Sequence, residues 1–244
     1  MIMVNVIFEI AKKEAGSFCK SKPALLRNII MLAIFCIVPA QQVSGELASN
    51  GFLASTFSTA LETYLPFATF YAIVLSAGIS AMAFPLEKER RTIEYLLSLP
   101  LKDSEIFLGK ALAAIAAGIL GTAVIFAAII GFTLYNAGDK VVWDSPVMTP
   151  SLALVMFGIS PMIVILSTMM IVAVSGYLSG VRESYFATFV MLGLVVGLAM
   201  AKEALPVDHL LYNAVLLLML VVLTAVCYFI GVKSFNRERL MARA

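Results

Sequence analysis

Six stretches of this chain are apolar for long enough to cross a lipid bilayer, and this limits its fold more than any other feature. Backbone amides and carbonyls inside hydrocarbon must bond within their own segment, so an apolar run of about 20 residues is read as a membrane helix. The runs are Leu25–Val43, Tyr64–Pro85, Ile106–Leu134, Leu152–Leu178, Tyr185–Ala201 and Leu210–Val232. Charged residues make up 13% of the chain and mean hydropathy is +1.00. A soluble domain carries about 25% charged residues, so the bilayer is the solvent here. A net charge of +2 is too small to point to nucleic acid. The three cysteines, Cys19, Cys36 and Cys227, have no metal-binding or disulfide spacing.

The basic residues orient the runs. With the N-terminus in the cytosol and six spans, fifteen of the seventeen Lys and Arg fall in inner segments, and only Lys140 and Lys202 fall outside. Cytoplasmic flanks are rich in Lys and Arg, and no odd number of spans divides the charge so cleanly. The expectation is an all-α membrane protein of the plasma membrane with both termini cytosolic. A competing pattern lies at the start, where Asn28–Ile37 followed by "VPA" is similar to a secretory signal. Cleavage there would leave five spans and break the charge division, so the segment is expected to stay.

Before the first run, Met3, Ile7, Ile10, Ala11 and Phe18 fall near one helical face. Asn5, Glu9, Lys12, Lys13 and Lys20 fall opposite. Residues 1–22 are therefore expected to form an interfacial helix on the cytoplasmic surface, either a plain anchor or a lever. Residues 23–244 form the membrane domain.

The spans are expected to lack ionisable groups at depth, apart from Arg27, which lies close enough to the inner face to snorkel. Proton relays and ion paths use such groups. The single histidine, His209, is placed in a short outer link, which leaves no metal site. Two "GIS" triplets ending at Ser80 and Ser160 are similar to the serine motif of intramembrane proteases, but neither serine is placed to meet His209 as a base. No catalytic residue is expected, and any energy must enter from outside the bilayer.

That directs attention to the densest charge, "FPLEKERRTIEYLLSLPLKDSEIFLGK". Pro85 ends the second span. Ile93, Leu96 and Leu97 then share a face, Pro100 ends a short amphipathic helix, and Asp103 or Ser104 caps the third span. A proline-bracketed helix joined to two long spans is a handle that a soluble partner can grip. A loop that only anchored topology would need the basic residues but not Glu87, Glu89 and Glu94.

This stretch resembles the signature of the ABC type-2 permeases, the membrane subunits of ABC exporters. The matching positions are Glu87, Lys88, Glu89, Thr92, Glu94, Leu96, Leu97, Pro100, Ser104, Glu105, Gly109 and Lys110, with Arg91 where the family has glycine. The resemblance implies a half-transporter that pairs with a second copy or a relative and docks on a separate ABC ATP-binding subunit. Docking would use the coupling segment 86–105 (Glu87, Glu89, Arg90, Arg91, Glu94, Leu96, Leu97, Pro100). It would also use Lys12 and Lys13 of the interfacial helix, and Arg182 and Glu183 in the turn between spans four and five. ATP and Mg would sit on that partner; this chain has no Gly-x-x-x-x-Gly-Lys-Ser/Thr loop. Gly193 and Gly197 have the spacing of a close helix contact, within the protomer or between copies. The rival functions are a non-transporting membrane platform or assembly component and, more remotely, an intramembrane enzyme.

Overall fold

The computed structural model describes residues 22–83, 103–175 and 208–234, with Lys12, Gly16, Phe186, Phe189, Val190, Gly193, Leu194, Gly197, Leu198 and Lys202. Among the described residues the chain is helical, without a strand, and five helices are long and apolar enough to cross a membrane. We number them α1 (Lys22–Ser49), α2 (Ala54–Ala83), α3 (Asp103–Ala137), α4 (Pro150–Ala153), α5 (Ser160–Ser175) and α6 (His209–Ser234). A π-helical turn, Leu154–Ile159, joins α4 to α5, so these two form one span. Most of the fifth expected span lies outside the described residues; the positions described within it, such as Phe186, Phe189 and Leu194, are helical.

α1, α2, α3 and α6 are each longer than their apolar runs. The first continues through Gln41, Gln42 and Glu46 to Ser49, with Pro39 inside it and Ala40 and Val43 fully buried. The second starts at Ala54 rather than Tyr64. This difference has a physical reason: Phe57, Leu61, Leu65 and Ala68 recur at helical spacing and are all buried, so helix–helix packing extends α2 past the point where hydropathy falls.

The α1–α2 connection is short and closely tied. The Phe52 amide donates to the Leu47 carbonyl at 2.9 Å, the bond of a helix-ending motif that needs a left-handed residue, and Gly51 supplies it at φ 79°. Phe52 is itself left-handed at φ 59°. Its carbonyl accepts from the Val142 amide at 2.9 Å, and the Ala54 amide donates to the Val142 carbonyl at 3.0 Å. The link between α3 and α4 is thereby stitched to the start of α2. Asp144 completes the join: Oδ1 accepts the Ser55 amide at 3.2 Å and Oδ2 accepts the Ser55 hydroxyl at 3.0 Å. A residue distant in sequence thus caps α2. Partial desolvation opposes the charged form, but the hydrogen bonds from Ser55 and the neighbouring amides outweigh it and hold the Asp144 carboxyl below the usual aspartate range.

α2 is the central element and packs against α1, α3 and α5, while α6 lies on α5 and the π turn. Helices in lipid associate by close packing more than by hydrophobic transfer. Gly118 and Gly121 of α3 accordingly face Ala72, Ser76, Tyr71 and Leu75 of α2. Four polar side chains of these helices bond within their own helix: Ser76 donates to the Ile73 carbonyl, Thr122 to Gly118, and Ser167 and Thr168 to Val164.

Candidate functional site

The extension of α2 places Glu62 inside a membrane-length helix, where its side chain is 7% exposed. The expectation that no ionisable group but Arg27 lies at depth in the spans was drawn on apolar runs that left Glu62 out; the membrane-length stretch Ala54–Ser80 includes it. Glu46 also lies within the span formed by α1 and accepts a hydrogen bond from the Tyr64 hydroxyl at 2.9 Å. Lys110, near the start of α3, is buried within the bundle.

Among the described residues, four groups converge on one oxygen of Glu62. Lys202 Nζ forms an ion pair and hydrogen bond with Oε1. The Ser151 hydroxyl donates to it at 2.7 Å and the Asn213 amide nitrogen at 3.0 Å. His209 Nδ1 lies 3.5 Å away. Asn213 also donates to Ser151 Oγ at 2.9 Å, which locks the two neutral donors together.

Local structure explains how these residues meet. Thr149 accepts the Leu152 amide at 3.2 Å as N-cap, and Pro150 takes the first helical position, where an amide is dispensable. Ser151 therefore sits in the first turn of α4, and His209 opens α6. Two helix N-termini with their partial positive charge approach the carboxylate, which adds to the stabilisation from Lys202.

Beside the carboxylate is a cavity of about 30 Å³. Glu62, Lys202, Asn213 and Tyr212 line its polar side, and Val155, Ile159, Ile163 and Leu216 its apolar side. The helices are irregular on both flanks. Pro66 of α2 lacks the amide that would bond the Glu62 carbonyl, and the π turn supplies Val155 and Ile159.

Of the residues expected to dock an ATPase, Lys13, Glu87, Glu89, Arg90, Arg91, Glu94, Leu96, Leu97, Pro100, Arg182 and Glu183 lie outside the described residues, while Lys12 is helical and exposed. Gly193 and Gly197 are exposed, and among the described residues a methyl group added at either meets no atom within 4 Å. The serine-nucleophile alternative gains no geometric support: the Ser80 and Ser160 hydroxyls are buried without a hydrogen-bond partner among the described residues, and His209 is beside Glu62. The Glu62 cluster was missed in the sequence because hydropathy assigned Glu62, Lys202 and His209 to outer links. The buried spacing of Phe57 and Leu61 is the signal that would have drawn Glu62 into the span.

The sequence profile described as ABC-2 family transporter protein matches residues 8–205. The chain belongs to the ABC-2 transporter family. No curated protein matches it as a relative. The match runs from the N-terminal segment to just past Lys202, and so includes the charged stretch 86–105 and three members of the polar cluster, Glu62, Ser151 and Lys202. The five apolar helices make this ABC-2 member an integral, multi-pass membrane protein. Its family is one of membrane components of transporters, which in general work with an ABC ATP-binding partner.

Proposed function

We propose that this chain is the permease subunit of an ATP-driven exporter in the plasma membrane. It has six spans and cytosolic termini, forms the substrate pathway as a dimer, and is driven by a separate ATP-binding subunit. One observation carries this: the family match includes the proline-bracketed charged segment that joins spans two and three. The division of fifteen basic residues against two supports the orientation. The Gly-x-x-x-Gly spacing of Gly193 and Gly197 supports close approach of a second copy.

The mechanism is mechanical. ATP closes two partner subunits on each other, and they carry the coupling helix and the interfacial helix with them. Because α2 packs on α1, α3 and α5, force applied at its cytosolic end reaches the whole bundle. Movement of the second and third spans opens the path to the other side.

Replacing Glu89 and Glu94 together by Ala should weaken co-purification with the ATPase and uncouple ATP turnover from cargo. Unchanged stoichiometry and turnover in that variant would overturn the docking assignment. Accessibility labelling of single cysteines within residues 86–105 from the extracytoplasmic side would overturn the topology.

A further inference from the structure

Glu62 is a carboxylate kept in a membrane-length helix, where an unpaired charge is strongly disfavoured. The groups facing it differ in kind. Ser151 and Asn213 are neutral donors fixed by α4 and α6 and bonded to each other. His209 is charged only when protonated and is half exposed. Among the described residues Lys202 alone brings a standing positive charge, and it comes from the segment before α6.

If the Lys202 ammonium withdrew, Ser151 and Asn213 would keep the carboxylate oriented, and the site would lack only one positive charge. An incoming cation restores it with no net change in buried charge. An anion would meet the Glu62 carboxylate, which α2 holds in place. A neutral molecule would leave that carboxylate uncompensated. The seat therefore selects cations, and its two neutral donors leave the remaining acceptor capacity of the carboxylate to a group that donates several hydrogen bonds.

Shape narrows the choice. The space beside Glu62 is about 30 Å³, room for a water molecule, and Lys202 itself forms part of the wall. Vacating the lysine side chain would enlarge this space, which Glu62 lines together with the apolar Val155, Ile159, Ile163 and Leu216. What fits is an ammonium on a hydrocarbon stem, the form of the lysine side chain it replaces. The proline in α2 and the π turn supply backbone that can adjust on either side.

We propose that Glu62 is a seat for the primary ammonium group of an amphipathic amine, that Lys202 occupies this seat in the resting protomer, and that the amine enters by exchange with it. That such an amine is exported cargo rests on the proposed function; that the seat binds amines does not.

The test uses the full chain in phosphatidylcholine nanodiscs, without the ATPase, so its outcome is separate from that of the docking experiment. Lys202→Met should lower the thermal midpoint. Octylammonium should restore it, at concentrations about tenfold or more below those that shift the wild-type protein, because the internal competitor is gone. Octanol and octanoate should not restore it, and Glu62→Gln/Lys202→Met should not respond. Equal rescue by octanol, or an equal response of the double variant, would overturn the proposal. Should Lys202→Met not fold, a photoreactive alkylamine on the wild-type protein decides. Labelling of the peptide holding Ile159 and Ile163 that octylammonium blocks supports the seat. Absent labelling, or equal labelling by the matching alkanol, overturns it.

Discussion

Replacing Gly118 by Ala should loosen the bundle, and the same replacement at Gly131, on the same helix, should tighten it. A methyl carbon at Gly118 would lie 2.4 Å from Val164 Cγ1, 3.2 Å from Ser76 Cβ and 3.4 Å from the Ala72 carbonyl oxygen. Carbon atoms pack best at about 3.5–4.0 Å, so α3 must move off both α2 and α5. Val164 is fully buried and β-branched, with one favoured rotamer in a helix, and cannot swing aside. Overpacking of this kind costs about 1–3 kcal/mol, and a clash this close with a stiff neighbour belongs at the upper end. Alanine returns about 1 kcal/mol through helix propensity, which leaves a net loss of about 1–2 kcal/mol. At about 2–4 °C per kcal/mol for a chain of this size, the midpoint should fall by about 2–8 °C. At Gly131 the added methyl meets nothing within 4 Å, so only the propensity gain remains, and the midpoint should rise by about 1–4 °C. Thermal unfolding in detergent, followed with a thiol-reactive dye that reads the half-buried Cys36 and Cys227, measures both. Val164→Ala combined with Gly118→Ala should recover part of the loss, the sign of a direct contact. Shifts of the same sign in the two glycine variants, or a Gly118→Ala protein as stable as wild type, would refute the packing of α3 against α2 and α5.

Glu62→Ala and Lys202→Met should each cost about 3–5 kcal/mol, because each leaves a buried charge unpaired, and the double variant should cost far less than their sum in a thermal double-mutant cycle. Asp144 has a depressed folded-state pKa, so its cap on α2 is present above the ordinary aspartate range and is lost as pH falls through the lower folded value. Protease or exchange protection near Ser55 should therefore drop on acidification from about pH 5 to about pH 3, and Asp144→Asn should flatten that response. Thr149→Ala removes the acceptor for the Leu152 amide and should cost about 1 kcal/mol in thermal unfolding.

Membrane insertion depends on properties that run along the chain. A helix in lipid satisfies its backbone locally, so the existence of α1, α2, α3, α6 and the span containing Pro161 could be read from apolar length alone. The family was legible for the same reason: the prolines, acids and basic residues that carry the resemblance lie within one short stretch. Helix ends were less legible. Hydropathy stopped at Tyr64, whereas α2 continues back to Ala54 because Phe57 and Leu61 find partners in other helices.

The Glu62 site was not legible, since its parts are distant along the chain. Ser151 stands 89 positions from Glu62, Lys202 140 and Asn213 151. A one-dimensional reading left Glu62 in one outer link and Lys202 and His209 in another, where each would be a solvated charge or an interface residue. Only tertiary packing brings α2, the start of α6 and Lys202 before it to a single carboxylate oxygen, and only there does burial turn an ordinary glutamate into a charge that must be matched. Residue order alone determined a chain that lives in the bilayer and belongs with the ABC-2 transporters; the tertiary structure decided which of its few charges meet, because pairing across a bundle depends on three-dimensional distance and not on distance along the chain.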